Sequence, residues 1–367
     1  MNRRGVCYDV GRLMWGSDWR PDLRLDEAAR ELAIIRDDLH CNAVRICGQD
    51  LDRLIDTTAT AVQLGLEVWL SPELWDRSSD ETLAYIAEAA RRASAVSAGR
   101  SGQVVLSVGT ELTLFMQGMV PGGSLFERLN HPQFWDRIRS GAHNGPLNTF
   151  LGEAVERVRR TFDGPVTYAS APLESVDWKP FDFVSADIYR DAHVRDQLPN
   201  LLARYLNHAR PVVITEFGCC TYRGAAAAGG RGFEILDLES GRDSTPAWLK
   251  GDYIRDEREQ ARELSEGLAM YDEAGVDGTF VMTFIAPLNP YSEEPRFDLD
   301  MASFALVRSY GGRLGPLDAA YPEAPWDRTR MGTRYTDMPW DPKEAFDAVA
   351  AAYGDVAVGR QLAAGGE

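Results

Sequence analysis

A strand, a helix and a second strand follow one another in residues 43–71, which read AVRICGQDLDRLIDTTATAVQLGLEVWLS. The two ends of this stretch, Ala43–Cys47 and Leu66–Ser71, are short apolar runs that include β-branched residues, which is typical of buried strands. The segment between them, Leu51–Leu64, carries apolar residues at helical spacing. Two buried strands joined through a helix indicate a parallel crossover unit, so this stretch predicts an α/β protein.

The same alternation recurs along most of the chain. The predicted strands are Val6–Val10, Ala43–Cys47, Leu66–Ser71, Val104–Val108, Pro165–Ser170, Phe183–Asp187, Pro211–Thr215 and Gly278–Phe284. The predicted helices are Leu25–Leu39, Leu51–Leu64, Asp80–Ala98, Leu147–Phe162, Val194–Asn207, Arg255–Ala274 and Pro342–Tyr353. Eight strands separated by helical segments predict a single (β/α)8 TIM barrel. A doubly wound open sheet uses the same alternation, but the strand count and the lack of a glycine-rich phosphate turn favour the barrel.

Long connections follow strands four, seven and eight of the predicted barrel. They cover residues 118–146, 218–251 and 286–342, and the last is much longer than a usual connection. No linker divides the chain, so we expect residues 1–367 to form one domain that ends in a frayed tail at 362–367.

The charge balance excludes several classes of partner. The chain has 39 Lys and Arg residues against 56 Asp and Glu residues, a formal net charge of −17, which disfavours binding to nucleic acid or to an anionic membrane. Asp9 and Arg12 interrupt the apolar region that a signal peptide needs. Five cysteines without CxxC spacing and five histidines without an HxH pair argue against a disulfide scaffold and a metal centre. We therefore expect a cytoplasmic protein with no cofactor, no metal, and no nucleic-acid or membrane partner; the sequence leaves its oligomeric state open.

Two glutamates stand at the ends of predicted strands. Glu111 follows strand four and Glu216 follows strand seven. Active sites of such barrels are built at the C-terminal ends of the strands, so these two carboxyl groups can face one another across the mouth. One carboxylic acid and one carboxylate flanking a bond are what glycoside hydrolysis requires. The alternative is that both are structural carboxylates, paired with Arg45 or a similar cation.

The segments around these glutamates resemble the acid/base and nucleophile motifs of clan A, the retaining glycosidases built on (β/α)8 barrels. These segments are Leu106–Leu112 (LSVGTEL) and Val212–Gly218 (VVITEFG), and the Gly-Thr-Glu-Leu run is similar to that of an endo-β-mannanase branch. Asn42–Arg45 (NAVR) resembles the strand-two arginine motif of the clan, and Asp187–Tyr189 (DIY) is similar to the strand-six segment that carries a tyrosine.

The resemblance implies a role for each matching residue. Glu216 is the expected nucleophile and Glu111 the expected acid/base, with Arg45 and the Tyr189 hydroxyl keeping Glu216 ionised. For a retaining mechanism the two carboxyl groups lie about 5–5.5 Å apart. The expected activity is a retaining β-glycoside hydrolase that acts by double displacement on an oligosaccharide or small glycoside, with β-mannosides and β-glucosides as the candidate substrates.

Two positions depart from the pattern of the clan. Thr110 stands where the clan usually has Asn, and Thr283-Phe284 stands where it often has Trp. These departures leave open a non-hydrolytic alternative, a sugar-binding or biosynthetic protein that reuses the same barrel. A metal-dependent barrel hydrolase is disfavoured by the scarcity of histidine.

Sugars bind to flat apolar side chains and to polar groups that hydrogen-bond hydroxyls. The candidate substrate-binding residues follow predicted strands, and they are Thr110, Glu73, Asp187, Trp15, Trp19, Trp75, Trp248, Phe284, Asp18 and Asp50. Trp326 and Trp340 also fall in predicted loops on this face. For each tryptophan the alternative is packing within a loop, and for each carboxylate it is a solvated or helix-capping position.

Overall fold

The computed structural model describes residues 1–14, 17–21, 23–99, 102–237, 247–311, 326–327 and 329–364. Eight parallel strands of this described part close into a barrel, which confirms the predicted (β/α)8 fold. They are β1 (Arg3–Asp9), β2 (Ala43–Gly48), β3 (Glu67–Pro72), β4 (Val104–Thr110), β5 (Val166–Ser170), β6 (Val184–Asp187), β7 (Val212–Phe217) and β8 (Gly278–Val281).

Each barrel strand pairs in parallel with its neighbours in sequence, and β1 closes the ring by pairing with β8. Val6 is in register with Val44 of β2 on one side and with Val281 of β8 on the other. Strand β8 ends at Val281, three residues before the predicted end. The cause is the following loop: Thr283 exchanges backbone hydrogen bonds with Phe304 and Leu306.

Six of the long helices lie between consecutive barrel strands and the seventh follows β8. They are α1 (Leu25–Asp37), α2 (Leu51–Gln63), α3 (Ser79–Ser97), α4 (Asn144–Val158), α5 (Leu198–Leu206), α6 (Glu257–Glu273) and α7 (Glu344–Ala364). Short helices are Leu112–Phe115, Leu125–Leu129, Phe134–Ser140 and Ala225–Ala228, and 3-10 turns are Arg195–Gln197, Gly229–Ile235, Pro295–Phe297 and Leu299–Ala302. No helix lies in residues 171–183, the fully described connection between β5 and β6.

Every long helix differs from its predicted bounds at one end or both, and α4, α5 and α7 differ by three residues or more. Helix α4 begins at Asn144, ahead of the predicted start at Leu147, because Pro146 falls in its first turn, where a missing N–H costs nothing. Helix α7 continues past the predicted end at Tyr353 to Ala364, so residues 362–364 of the predicted frayed tail are helical. The rest of that tail, residues 365–367, lies outside the described residues.

The interior of the barrel is filled by side chains rather than open. Its apolar cluster consists of Cys7, Ala43, Trp69, Val105, Phe183, Val213, Phe280 and Met282. The Trp69 ring lies 5.0 Å from that of Phe183 and 5.2 Å from that of Phe280, measured between centroids. These rings fill the interior of the barrel. The polar side chains at the C-terminal ends of the strands therefore lie against a closely packed apolar layer.

Buried ion pairs join the long loops that follow β7 and β8. Arg255 donates to Asp298 at 3.0 Å and to Asp300 at 2.7 Å, and Lys343 donates to Asp300 at 2.9 Å and to the Thr221 hydroxyl at 2.8 Å. These contacts hold both loops against the start of α7. None of the described helices has the length and apolar character needed to cross a membrane.

Candidate active site

Both candidate glutamates are preceded by an extra residue in their strands. In the β4–β5 pair, Ser107 is opposite Thr167 but Thr110 is opposite Ala169, so β4 carries one residue more than its partner. The β6–β7 register shows the same irregularity directly before Glu216. A bulge of this kind bends the strand and changes the direction of the next side chain. The strand ends that carry Glu111 and Glu216 therefore deviate from regular strand geometry at the barrel mouth.

The backbone at Glu111 adopts a left-handed conformation. Its φ is 44° and its ψ is 46°, a region that costs a non-glycine residue about 1–2 kcal/mol. Gly109, two residues earlier, has a φ of +147°, and a Cβ there would lie 2.8 Å from the Leu112 side chain. The Gly109-Thr110-Glu111 sequence thus forms a tight turn between β4 and the helix Leu112–Phe115.

Three side chains hold the carboxylate of Glu216. Arg12 donates to its Oε1 at 3.0 Å, Arg45 donates to the same oxygen in a short hydrogen bond, and the Tyr189 hydroxyl donates to Oε2 at 3.2 Å. The two arginines are buried and Tyr189 is half-buried. Arg45 and Tyr189, the two residues that the resemblance places beside the nucleophile, are both in contact with Glu216.

A second polar layer lies beneath Glu216. Glu73 accepts from Arg12 through both of its oxygens, at 2.6 and 3.0 Å, and from Arg45 at 3.4 Å. The Thr110 hydroxyl accepts from Arg45 at 2.7 Å and lies 3.2 Å from that of Ser71. Glu73 and Thr110, both predicted to bind substrate, are buried members of this layer.

Arg12 is the charged residue of this site that sequence reasoning missed. In the sequence it stands out only as a charge that interrupts the apolar region of a signal peptide. Asp9, the last residue of β1, accepts from the backbone N–H groups of Gly11 and Arg12 at 2.7 and 2.9 Å, and this turn directs Arg12 over the mouth. An arginine directly after a predicted barrel strand is the signal that could have found it.

The two glutamates have opposite shifts in pKa. Burial raises the pKa of Glu216, but the charges and hydrogen bonds of Arg45 and Arg12 outweigh it, and the pKa lies below its ordinary value. Burial raises the pKa of Glu111 well above its ordinary value; Asp187, Glu216 and Glu174 add to this effect and Arg45 opposes it. One carboxyl group is thus set to be ionised and the other protonated, which is the arrangement that acid–nucleophile chemistry needs.

Asp187 is a third carboxyl group at the same mouth. It ends β6 in register with Glu216, and it is buried. Neither of its carboxyl oxygens has a hydrogen-bond partner of normal geometry among the described residues. Burial, followed by the charge of Glu216, raises the pKa of Asp187 well above its ordinary value, so that a neutral carboxylic acid is favoured there.

Aromatic side chains border the mouth. Trp19, Tyr189 and Phe304 are half-buried and pack on the top of the interior cluster, and the Tyr189 and Phe304 rings lie 5.4 Å apart. Trp75 stacks on Phe115 with 4.2 Å between centroids, next to the Glu111 turn. Trp19 and Trp75, both predicted substrate-binding residues, lie among these aromatic side chains, and Phe304 is an addition that the sequence did not suggest.

Three other predicted binders have contacts with arginine residues outside the Glu216 cluster. Trp248 is covered by the guanidinium of Arg296 at 4.8 Å. Asp50 is exposed and caps α2 by accepting from the Arg53 backbone N–H at 3.0 Å, and Asp18 accepts from the Arg53 side chain at 2.9 Å. Trp15 lies outside the described residues.

The structure corrects three aromatic predictions. Phe284 is fully buried, with its ring against those of Tyr8 and Trp340, so it cannot be a sugar platform. Trp340 is also fully buried and donates to Glu31, and Trp326 donates to the Phe297 carbonyl. Met282, directly after β8, is in contact with the site instead: its Sδ lies 3.9 Å from Nη1 of Arg12.

No group of three or more His, Cys, Asp or Glu side chains suited to a metal ion occurs in the part of the chain that the structure describes. The acidic residues of the loop after β8, Asp298 and Asp300, are paired with Arg255 and Lys343. The polar groups of the described mouth are thus carboxyl, hydroxyl and guanidinium groups.

Comparison with known proteins finds similarity in structure only. No protein-family model and no curated protein sequence matches the chain. A GH113 β-1,4-mannanase superposes with a TM-score of 0.54 at 15% identity, covering 96% of this chain and 98% of the other. The GH113 β-mannanase of Alicyclobacillus acidocaldarius, in complex with ManMIm, gives 0.55 at 17% identity over 96% and 97%.

A glycoside hydrolase family 5 enzyme of Prevotella bryantii B14, as a variant in complex with a xyloglucan tetradecasaccharide, has a TM-score of 0.50 at 12% identity, with 96% of each chain covered. At these identities the likeness establishes the fold alone. The chain shares a (β/α)8 barrel with these glycoside hydrolases over nearly its whole length.

Proposed function

We propose that this chain is a retaining β-glycoside hydrolase with Glu216 as nucleophile and Glu111 as acid/base. The observation that carries the proposal is the opposite protonation preference of the two glutamates at one barrel mouth, with Arg12, Arg45 and Tyr189 all directed at Glu216. A pair of titratable groups with pKa values shifted apart is the usual mark of an acid and its partner. The fold that the chain shares with glycoside hydrolases supports the same assignment.

The proposed reaction begins with proton transfer from Glu111 to the glycosidic oxygen. Glu216 attacks the anomeric carbon at the same time, forming a covalent glycosyl-enzyme and releasing the leaving group as an alcohol. Arg12 and Arg45 both donate to Oε1, so Oε2, which accepts from Tyr189, is the oxygen available for attack. In the second step Glu111, now ionised, takes a proton from water, and the hydroxide oxygen displaces Glu216 with net retention.

The proposed substrates are oligosaccharides or small glycosides, with β-mannosides and β-glucosides as the first to be assayed. The structural likeness to β-1,4-mannanases motivates the mannosides. Trp19 and Trp75 are the proposed sugar platforms, since they border the mouth near Glu216 and Glu111. Asp187 is the proposed partner for a sugar hydroxyl or an ordered water, because its oxygens lack a normal hydrogen-bond partner among the described residues.

The test is the Glu216→Ala variant assayed with aryl β-mannosides and β-glucosides. Turnover should fall to background, and azide should restore it by forming the α-glycosyl azide in the space left by the carboxylate. Glu156→Ala, an exposed glutamate of α4, serves as the control and should keep full activity. Proton NMR of the first product formed by the wild type should show the β-anomer. An α-anomer would show that the enzyme inverts the configuration instead of retaining it.

A sugar-binding or biosynthetic protein on the same barrel is the second candidate. The observation in its favour is Thr110, whose hydroxyl is occupied by Arg45 beneath the mouth and is therefore not directed at a sugar. A wild-type protein that binds glycosides in calorimetry but cleaves none of the panel would favour this candidate over hydrolysis.

A further inference from the structure

Glu111 sits at the start of a helix without serving as its cap. It occupies the N-cap position of Leu112–Phe115, yet its side chain makes no capping hydrogen bond. Backbone N–H groups in the first turn of a helix lack partners within the helix and need an acceptor from elsewhere. Those of Leu112 and Thr113 find theirs in residues that are distant in sequence.

The acceptors come from β5 and from the connection that follows it. The Tyr168 hydroxyl accepts from the backbone N–H of Leu112 at 2.8 Å, and Oε1 of Glu174 accepts from that of Thr113 at 3.0 Å. Tyr168 in turn donates to the Glu174 carboxylate, whose two oxygens both lie 2.9 Å from the hydroxyl. Both side chains are buried. Glu174 thus performs the capping that an N-cap residue usually performs itself.

Glu174 is itself held from two sides. The backbone N–H of Ala171 donates to its Oε2 at 3.0 Å. On the other side, the residues flanking it are tied to α4 and the residue before that helix: Nε2 of His143 lies 3.0 Å from the Leu173 carbonyl, and Asn144 accepts from the Ser175 backbone N–H at 2.7 Å. Glu174 therefore has a fixed position against the turn that carries Glu111.

The arrangement matters because one carboxyl group cannot do both tasks. A capping carboxylate turns back toward its own helix and is ionised by the N–H groups that it accepts from. The acid/base of a glycosidase must instead point at the substrate and carry a proton. Glu174 takes over the first task, so the carboxyl group of Glu111 is free for the second.

We propose that Glu174, together with Tyr168, is a positioning residue for Glu111, holding its left-handed turn and placing a negative charge beside it. This inference rests on the proposed function, since it presumes that Glu111 is the acid/base. The titratable groups whose charge acts on Glu111 are Asp187, Glu216, Glu174 and Arg45. Glu174 is among the carboxylates that raise the pKa of Glu111, and Arg45 lowers it.

The test compares two leaving groups in the variants Glu174→Gln and Tyr168→Phe. A 2,4-dinitrophenyl glycoside departs without protonation, whereas a 4-methylphenyl glycoside of the same sugar needs the acid. We expect kcat/KM for the methylphenyl substrate to fall about 10- to 100-fold, within the range that general acid catalysis contributes, while that for the dinitrophenyl substrate stays within about threefold. Removing the Glu174 charge should also move the alkaline limb of the pH profile to lower pH.

Controls separate this role from simple loss of folding. Glu156→Gln, on the surface of α4, should match the wild type on both substrates, and thermal melts of all variants establish that they are folded. Tyr168→Phe keeps the shape of the side chain, so it serves as the test variant if Glu174→Gln does not fold. An equal fall in kcat/KM for both substrates, together with an unchanged pH profile, would overturn the positioning role while leaving the proposed function intact. A wild type that cleaves neither substrate would refute the proposed function, and the positioning role with it.

Discussion

Arg12 and Arg45 donate to the same oxygen of Glu216, although one follows β1 and the other lies within β2. Both also donate to Glu73, so two guanidinium groups and two carboxylates form one buried, nearly neutral unit. Buried charges are tolerated only when they are paired in this way. The unit favours the ionised form of Glu216 although this residue is buried, which is the state that a nucleophile requires.

Replacing Arg12 should therefore impair both catalysis and folding. In Arg12→Ala the charge that lowers the pKa of Glu216 is partly lost, so that pKa rises. Because the reaction needs ionised Glu216, the acid limb of the kcat/KM profile should move to higher pH, with a loss of at least about tenfold at neutral pH. Breaking a buried ion pair should also cost about 3–5 kcal/mol of unfolding free energy.

The matched control is Arg139→Ala, which removes an exposed arginine paired with Asp136. It should leave the pH profile unchanged, because exposed pairs contribute little. An acid limb that stays in place in Arg12→Ala would mean that Arg45 alone sets the ionisation of Glu216.

Much of this site could be predicted from the sequence because strand ends are visible in it. A buried parallel strand is a continuous apolar run, so the residue at which polarity returns marks the barrel mouth. That reasoning located Glu111 and Glu216, and the resemblance to clan A added Arg45 and Tyr189. The structure brings Arg45 and Tyr189 into direct contact with Glu216.

Arg12 and the turn around Glu111 could not be found in this way. A charged residue in a loop is usually solvated, and only closure of the barrel brings Arg12 next to Glu73 and Glu216. The extra residue in β4 leaves no trace in an apolar run, because every residue of that strand is buried. Phe284 was misassigned for a related reason: the apolar run continues after the strand has ended.

Gly109 is the residue on which the Glu111 turn most directly depends. Gly109→Ala forces a Cβ to within 2.8 Å of Leu112 at a φ of +147°, where L-amino acids are strained. We expect a loss of about 1–3 kcal/mol in denaturant unfolding and a fall in kcat, because the Glu111 turn must shift. Gly152→Ala in α4 is the control: a Cβ there meets nothing within 4 Å, so it should stabilise by about 0.5–1 kcal/mol. Equal stability of the two variants would contradict this assignment.

Asp187 should make the protein less stable at neutral pH than at acidic pH. Its pKa is higher in the folded protein than in the unfolded chain, so the unfolded state holds the proton less tightly. Asp187 therefore lowers the free energy of unfolding when the pH is above the unfolded pKa of about 3.9. This loss of stability disappears as the pH falls below that value.

Asp187→Asn removes this ionisation while keeping the shape of the side chain. We expect it to raise the free energy of unfolding by about 1–3 kcal/mol at pH 7 and by clearly less at pH 4, measured by urea denaturation at both values. Asp136→Asn, an exposed aspartate, should show no such difference between the two pH values. Asp187 lies at the same mouth as Glu216, so Asp187→Asn should bind and cleave glycosides less well although it is more stable. Active sites often show such a trade-off between stability and function. A variant that is less stable at pH 7 than the wild type would show instead that the ionised carboxylate is satisfied in the folded protein.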